Sequence, residues 1–154
     1  MIYLGLTHFN TSTSNKDHEL ISTLDSYTSS SPNIIKKPYF TICYGKLSDV
    51  NDVDEVWENE SSVLLGRIFD KTQGGFFRKE DFKTFPHLNN KKVLEKVWGK
   101  YVFISSQGEI IIDSTGKLPF FYCPLINGDI LFSSDIEVIF KYISEKPEYN
   151  WDYL

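Results

Sequence analysis

The chain of 154 residues is long enough for one compact domain with a hydrophobic core and too short for two ordinary domains joined by a linker. Its apolar content of 41% and aromatic content of 16% exclude a disordered composition and favour sheet over helix. The 21 acidic residues exceed the 16 basic ones, and Lys and Arg form no block, so nucleic acid is not an expected partner.

The N-terminus lacks the cationic segment of a signal peptide, and no apolar run is long enough to cross a bilayer. We therefore expect a cytoplasmic protein with no membrane partner. The two cysteines, Cys43 and Cys123, lie in apolar segments where reduced, buried thiols are usual. No Cys or His pair has the spacing of metal ligands, so no metal site is expected.

The first half of the chain predicts three strands, over residues 2–9, 39–44 and 63–69, from their aromatic and branched side chains. A short amphipathic piece carries Leu20, Ile21 and Leu24, and the serine-rich run 26–33 reads as a loop. The acidic run 48–60 is predicted to be solvated.

The second half opens with a break at Gly74-Gly75 and a predicted helix over residues 90–98. Four strands follow, over residues 100–105, 109–113, 118–123 and 130–132, and the turn signals between them predict a meander. Ser134 and Glu137 fit a capping box that begins a last helix, which Pro147 ends. Its predicted apolar face comprises Ile136, Ile139, Phe140 and Ile143.

Three segments in this half carry a family resemblance: 98–104 (WGKYVFI), 112–122 (IDSTGKLPFFY) and 131–135 (LFSSD). They give a glycine-led strand, an Asp-x-x-Gly-x-x-Pro turn followed by an aromatic residue, and a Phe-x-Ser-Asp helix start. This order resembles the N-terminal glutaminase domain of the asparagine synthetase family, and its pattern is most similar to the lasso peptide cyclases. A looser match covers residues 64–70.

The resemblance implies an α+β fold, an Ntn-type αββα sandwich of two antiparallel sheets between helices. Residues 1–154 would be a single glutaminase-like domain, and the catalytic synthetase domain would lie outside this chain, beyond residues 151–154 or on another protein. The resemblance also implies an asparagine-synthetase-like partner in cis or in trans that uses ATP and Mg, and a precursor peptide as a further partner. This chain itself would hold no cofactor.

The residues that differ from the family decide the predicted activity. Active members carry a cysteine directly after the initiator methionine, and its thiol attacks the glutamine amide. Ile2 stands there in this chain, and the family's Arg-His-Arg-Gly-Pro-Asp and Asn-Gly-Glu segments are absent. We therefore predict no catalytic residue. Arg67 alone matches the arginine that binds the substrate carboxylate, which makes it the candidate ligand-binding residue.

Other interpretations of these residues stay open. Asp113, Gly116 and Pro119 read as a structural turn, because Asp accepts backbone hydrogen bonds, Gly permits unusual backbone angles and Pro presets a bend. Arg67 has a plainer interpretation as the ion-pair partner of Asp70 or Asp113.

The leading hypothesis is a non-catalytic glutaminase-like domain that supports an ATP-dependent enzyme forming amide or isopeptide bonds. The first alternative is a module that binds a carboxylate or a peptide in a degenerate pocket near Arg67. The second is an amidohydrolase with an unrecognised nucleophile, for which Thr7, Ser12 or Thr13 with His8 is the candidate segment.

Overall fold

The computed structural model describes residues 1–8, 16–47, 55–84, 93 and 95–144. All strand ladders within these residues are antiparallel, which confirms the α+β class. The elements in chain order are β1 (Ile2–Thr7), α1 (Lys16–Asp25), β2 (Asn33–Lys37), β3 (Phe40–Gly45), β4 (Glu55–Glu58), β5 (Val63–Asp70), β6 (Gly75–Phe76), α2 (Lys79–Thr84), β7 (Val97–Ile104), β8 (Ile110–Ile112), β9 (Phe121–Pro124), β10 (Ile130–Ser133) and α3 (Ile136–Ser144).

The chain folds into two compact units, residues 1–52 with 120–154, and residues 53–119. The first unit contains a five-stranded sheet in the order β2-β3-β1-β10-β9, so β1 is its central strand. All six residues of β1 are buried, in keeping with their apolar sequence. One face of the sheet packs against α1 and α3 in a core of Ile2, Leu4, Leu6, Leu20, Leu24, Cys43, Leu125, Leu131, Val138, Ile139, Tyr142 and Ile143.

The second unit contains a sheet in the order β4-β5-β7-β8, with β6 pairing to the end of β5. β5 and β7 pair along their whole length, from Val63 opposite Ile104 to Asp70 opposite Val97. Alternate side chains along each strand point to the same face of this sheet, and those of one face form a core with Phe82 of α2. This core comprises Trp57, Leu64, Ile68, Phe82, Val97, Tyr101 and Phe103.

The capping box predicted for the last helix is wrong. Asp135 caps α3, because its Oδ1 accepts a hydrogen bond of 2.9 Å from the Glu137 amide. The Ser134 hydroxyl instead accepts a bond of 3.1 Å from the backbone amide of Tyr3, far away in the sequence. The Tyr3 amide on the neighbouring strand therefore takes the Ser134 hydroxyl as its acceptor, and this hydroxyl does not cap the helix.

The apolar face of this helix was predicted half correctly. Ile139 and Ile143 are buried as expected, but Ile136 and Phe140 are exposed. Val138 and Tyr142 complete the buried face instead. The predicted end at Pro147 lies outside the described residues.

The predicted four-strand meander is also wrong. β7 and β8 form a hairpin in the second unit's sheet, whereas β9 and β10 form a hairpin in the first unit's sheet. After β8 the Asp113 amide bonds to the Tyr101 carbonyl at 3.0 Å, which continues the β7–β8 pairing by one residue. The Gly116 amide then bonds to the Asp113 carbonyl at 3.2 Å, so the chain turns away from this sheet. The segment up to Pro119 is longer than the loops that join adjacent strands of a hairpin.

Several other elements differ from the sequence prediction. Asn33–Lys37 is a strand, although the loop predicted from the serine-rich run includes residue 33. β4 lies within the acidic run that is predicted to be solvated. The helix predicted over 90–98 is wrong at its end, where Val97 and Trp98 belong to β7. Its residues 90–92 and 94 lie outside the described part of the chain.

Candidate functional site

The start of β1 is where the resemblance places a nucleophile, and Ile2 occupies it. Its side chain is buried in the core between β1 and the helices. The hydroxyls next to this strand end are engaged with the backbone of Tyr3. Ser134 accepts from the Tyr3 amide, and Ser133 donates a bond of 2.7 Å to the Tyr3 carbonyl. These groups hold strands together and offer no thiol or amine chemistry.

The far end of β1 carries Thr7 and is followed by His8, two of the residues that the alternative with an unrecognised nucleophile involves. The Thr7 hydroxyl accepts a bond of 2.8 Å from the Ile130 amide, and the His8 Nε2 lies 2.8 Å from the Thr41 hydroxyl. Burial lowers the pKa of His8, against the opposing effect of the nearby Asp129 carboxylate. The imidazole thus joins β1 to β3. Ser12 and Thr13 lie outside the described residues.

Neither cysteine has the environment of a reactive thiolate. Cys43 is buried, and burial raises the pKa of its thiol to about 12. Cys123 is half-buried and burial raises its pKa as well. Both are free, as the sequence indicated.

Arg67 lies in a separate place, on one face of the sheet of the second unit. In the antiparallel register Arg67 stands opposite Lys100, and Phe69 stands opposite Trp98, so all four side chains share this face. They line a pocket of about 490 Å³. Its lining comprises Arg67, Phe69, Phe76, Trp98, Gly99, Lys100, Thr115 and Lys117.

Aromatic rings form the floor of this pocket in a row across three strands. The rings of Phe76 and Phe69 meet edge to face with centroids 5.4 Å apart, and the Phe69 and Trp98 centroids are 6.3 Å apart. Trp98 is 59% exposed and Phe76 is 62% exposed. An aromatic residue at the junction of a helix and a strand is usually part of the core, and the sequence predicts this for Trp98, but the structure places its ring on the surface. Large exposed aromatic rings in one cluster are typical of binding surfaces.

Cationic groups surround the aromatic row. The Arg67 guanidinium lies 6.0 Å from the Phe76 ring centroid, and the Lys71 ammonium lies 5.7 Å from the Trp98 centroid. Glu55 reaches Arg67 at 3.7 Å, and its second oxygen accepts a bond of 2.7 Å from the Trp57 indole. This ion pair involves neither Asp70 nor Asp113, the two partners that the sequence indicated.

The turn after β8 positions the remaining lining residues. Asp113 is buried and accepts hydrogen bonds from the amides of Thr115 at 2.8 Å and Tyr101 at 3.3 Å. Burial disfavours its ionised form, but hydrogen bonds from Thr115, Tyr101 and Lys117 outweigh this, so the pKa of Asp113 is lowered. Gly116 has a φ of 59°, a conformation that glycine adopts readily. The turn thereby fixes Thr115 and Lys117 at the pocket.

Sequence reasoning found Arg67 but missed Phe76, Trp98, Lys100 and Lys117. The register of β5 and β7 is the information that identifies this face. Alternation alone shows that Arg67 and Phe69 share a face of β5, and the register adds that Lys100 and Trp98 lie opposite them on β7.

No group of three or more His, Cys, Asp or Glu side chains that could hold a metal ion occurs within the described ranges. None of the helices in those ranges is long and apolar enough to cross a membrane.

Comparison with known proteins identifies no family. The chain matches no protein-family model, and searches of curated proteins and of solved structures return no significant match.

Proposed function

We propose that this chain is a non-catalytic, glutaminase-like domain that supports an ATP-dependent enzyme of the asparagine synthetase type. The partner forms an amide or isopeptide bond, as the lasso peptide cyclases do, and acts with this domain in the cytoplasm. It is joined to this chain in cis or binds it in trans, and a precursor peptide is its expected substrate. ATP and Mg belong to the partner.

The observation that carries this proposal is the start of β1. An Ntn-type hydrolase needs a nucleophile at that strand end, and the buried aliphatic Ile2 has no atom that can attack an amide. Ser133 and Ser134 bond to the backbone of Tyr3, so they serve the fold. Since the start of β1 has no nucleophile, the domain would act through its surfaces, to which the partner enzyme binds.

The finer fold assignment, an Ntn-type αββα sandwich, is part of the same proposal. It is supported by two antiparallel sheets of five strands each, counting β6, with α1 and α3 against one sheet and α2 against the other. The position of Ile2 at the first residue of a central strand also supports it.

Two assays test this proposal. The purified chain should release no ammonia from glutamine, and a saturable release would favour the amidohydrolase alternative. Any release should be repeated with Cys123→Ser, which removes the less buried thiol. In sedimentation experiments the chain should bind an asparagine-synthetase-type protein of the same organism without glutamine or ATP. Failure to bind would contradict a supporting role in trans.

A second candidate function is a carboxylate-binding module, and the pocket at Arg67 favours it. Three cationic side chains, Arg67, Lys100 and Lys117, line an open pocket with an aromatic floor, which suits an anion with an apolar body. Binding of 3-phenylpropionate should weaken in Arg67→Ala and stay unchanged in Arg78→Ala, a control outside this pocket's lining. Equal affinities in both variants would contradict this candidate.

A further inference from the structure

The edge of β7 next to the pocket continues past the end of its neighbouring strand. β8 pairs only with Val102–Ile104, and the last backbone link on that side is the bond from the Asp113 amide to the Tyr101 carbonyl. Within the described residues, no strand pairs with the Val97–Gly99 part of β7 on this side. The exposed Thr115 hydroxyl donates a long bond of 3.5 Å to the Gly99 carbonyl, and an added peptide strand would replace this bond with one from its own backbone amide. Open strand edges are templates for a further extended chain.

A second, smaller cavity of about 150 Å³ lies along this edge. Trp98 and Gly99 line both this cavity and the larger pocket at Arg67. The two cavities are therefore adjacent, and a ligand that lies along the edge of β7 would contact both. An extended ligand fits such a surface better than a free amino acid does.

The charges of the larger pocket specify one side chain of this ligand. Arg67, Lys100 and Lys117 line it. Glu55, whose carboxylate lies 3.7 Å from the Arg67 guanidinium, is outside the lining. Three cationic side chains in the lining favour a ligand carboxylate. Trp98 offers an exposed ring for an apolar contact. Residues i and i+2 of an extended strand point to the same side, so an acidic residue and an apolar residue two positions apart can reach both features.

We propose that the edge of β7 and the adjoining pocket bind an extended peptide segment with an acidic side chain near Arg67 and an apolar side chain on Trp98. The inference rests on the carboxylate-binding candidate and names its ligand class. Binding is by strand addition to the Val97–Gly99 edge, in which backbone hydrogen bonds supply affinity and the pocket supplies specificity.

The test is fluorescence anisotropy with the full chain and a labelled, end-blocked peptide, Thr-Glu-Thr-Phe-Thr. Blocked ends ensure that the only carboxylate is the glutamate side chain. We expect Trp98→Ala to weaken binding about tenfold, because the variant removes the ring that contacts the apolar side chain of the peptide. The variant should still fold, since the Trp98 ring is largely exposed. Tyr122→Ala removes a similarly exposed aromatic residue from β9 and should leave the affinity unchanged.

The charge contact is tested separately. Lys117→Gln should weaken binding about threefold at low salt, and the same peptide with Gln in place of Glu should bind about tenfold more weakly. Lys46→Gln, an exposed change on the first unit, is the control and should have no effect.

Three results would overturn the proposal: equal affinity for the Glu and Gln peptides, equal losses in Trp98→Ala and Tyr122→Ala, or no binding at millimolar chain. If 3-phenylpropionate still binds with dependence on Arg67 while the peptide does not, the pocket is a small-molecule carboxylate site and only the peptide inference fails. Support of a synthetase-type partner is measured in other assays and is unaffected by either outcome.

Discussion

Replacing Asp113 by alanine tests how the turn below the pocket is held. Its carboxylate is buried and accepts the amides of Thr115 and Tyr101. Without it the amide of the buried Tyr101 has no acceptor there, which costs about 1–3 kcal/mol, and the bond to Thr115 is lost as well. We expect Asp113→Ala to lower the free energy of unfolding by about 3 kcal/mol.

The assay is urea unfolding followed by tryptophan fluorescence. For a slope of about 2 kcal/mol per molar urea, the expected loss moves the midpoint down by about 1.5 M. Because the pKa of Asp113 is lowered in the fold, its stabilisation is complete above the unfolded value of about 3.9. The difference between wild type and variant should therefore shrink as the pH falls below about 4.

The chain supplies a matched control. Asp70 occupies the same Asp-x-Thr pattern and accepts the Thr72 amide at 2.7 Å, but this turn is exposed. Water can replace the lost acceptor there, so Asp70→Ala should cost clearly less than Asp113→Ala. If both variants lose the same unfolding free energy, the Asp-x-Thr motif itself determines the loss. That result would refute the argument that burial of the Asp113 turn makes its loss larger.

Three further predictions concern the fold around β1. Asp135→Ala should lower the unfolding free energy by about 1 kcal/mol, whereas Glu137→Ala should change it by less than about 0.5 kcal/mol, measured by urea unfolding; the reverse order would restore the capping box. Burial lowers the pKa of His8, so wild-type stability should fall as the pH drops below about 6.5, and His8→Asn should lack this dependence between pH 7.5 and 5.5. Gly5→Ala should lower the thermal midpoint by several degrees, because a Cβ at Gly5 would overlap the Phe132 ring; an unchanged midpoint would contradict this packing.

Local sequence patterns predicted the elements whose signals are local. The apolar run of β1, the branched residues of β5 and the glycine turns before β8 and β10 all lie where the pattern placed them. These segments carry their own strand or turn preference, so no distant contact is needed to define them.

The remaining elements depend on distant partners. β4 is acidic and reads as solvated, yet it pairs with β5 and buries Trp57. Trp98 has helical spacing to its neighbours but belongs to β7, where pairing with β5 turns its ring outward. Ser134 fits a cap by sequence and instead serves the backbone of Tyr3. Sequence alone does not specify which of two competing partners a group takes.

The candidate site shows the same division. Arg67 was recognised as a single residue, and the Asp113 turn as a motif. The aromatic row and the other cations became visible only with the strand register, because Phe76, Trp98 and Lys117 come from three different segments of the chain.

The most direct test of the central claim is reconstitution of ligation with an asparagine-synthetase-type protein of the same organism. Formation of the amide product from a carboxylate-bearing peptide substrate, with ATP and Mg, would be measured by mass spectrometry with and without this chain, in the presence and absence of glutamine. We predict that ligation requires the chain and proceeds at the same rate with and without glutamine. Ligation at the same rate without the chain, or ligation driven by glutamine hydrolysis when it is present, would contradict the account.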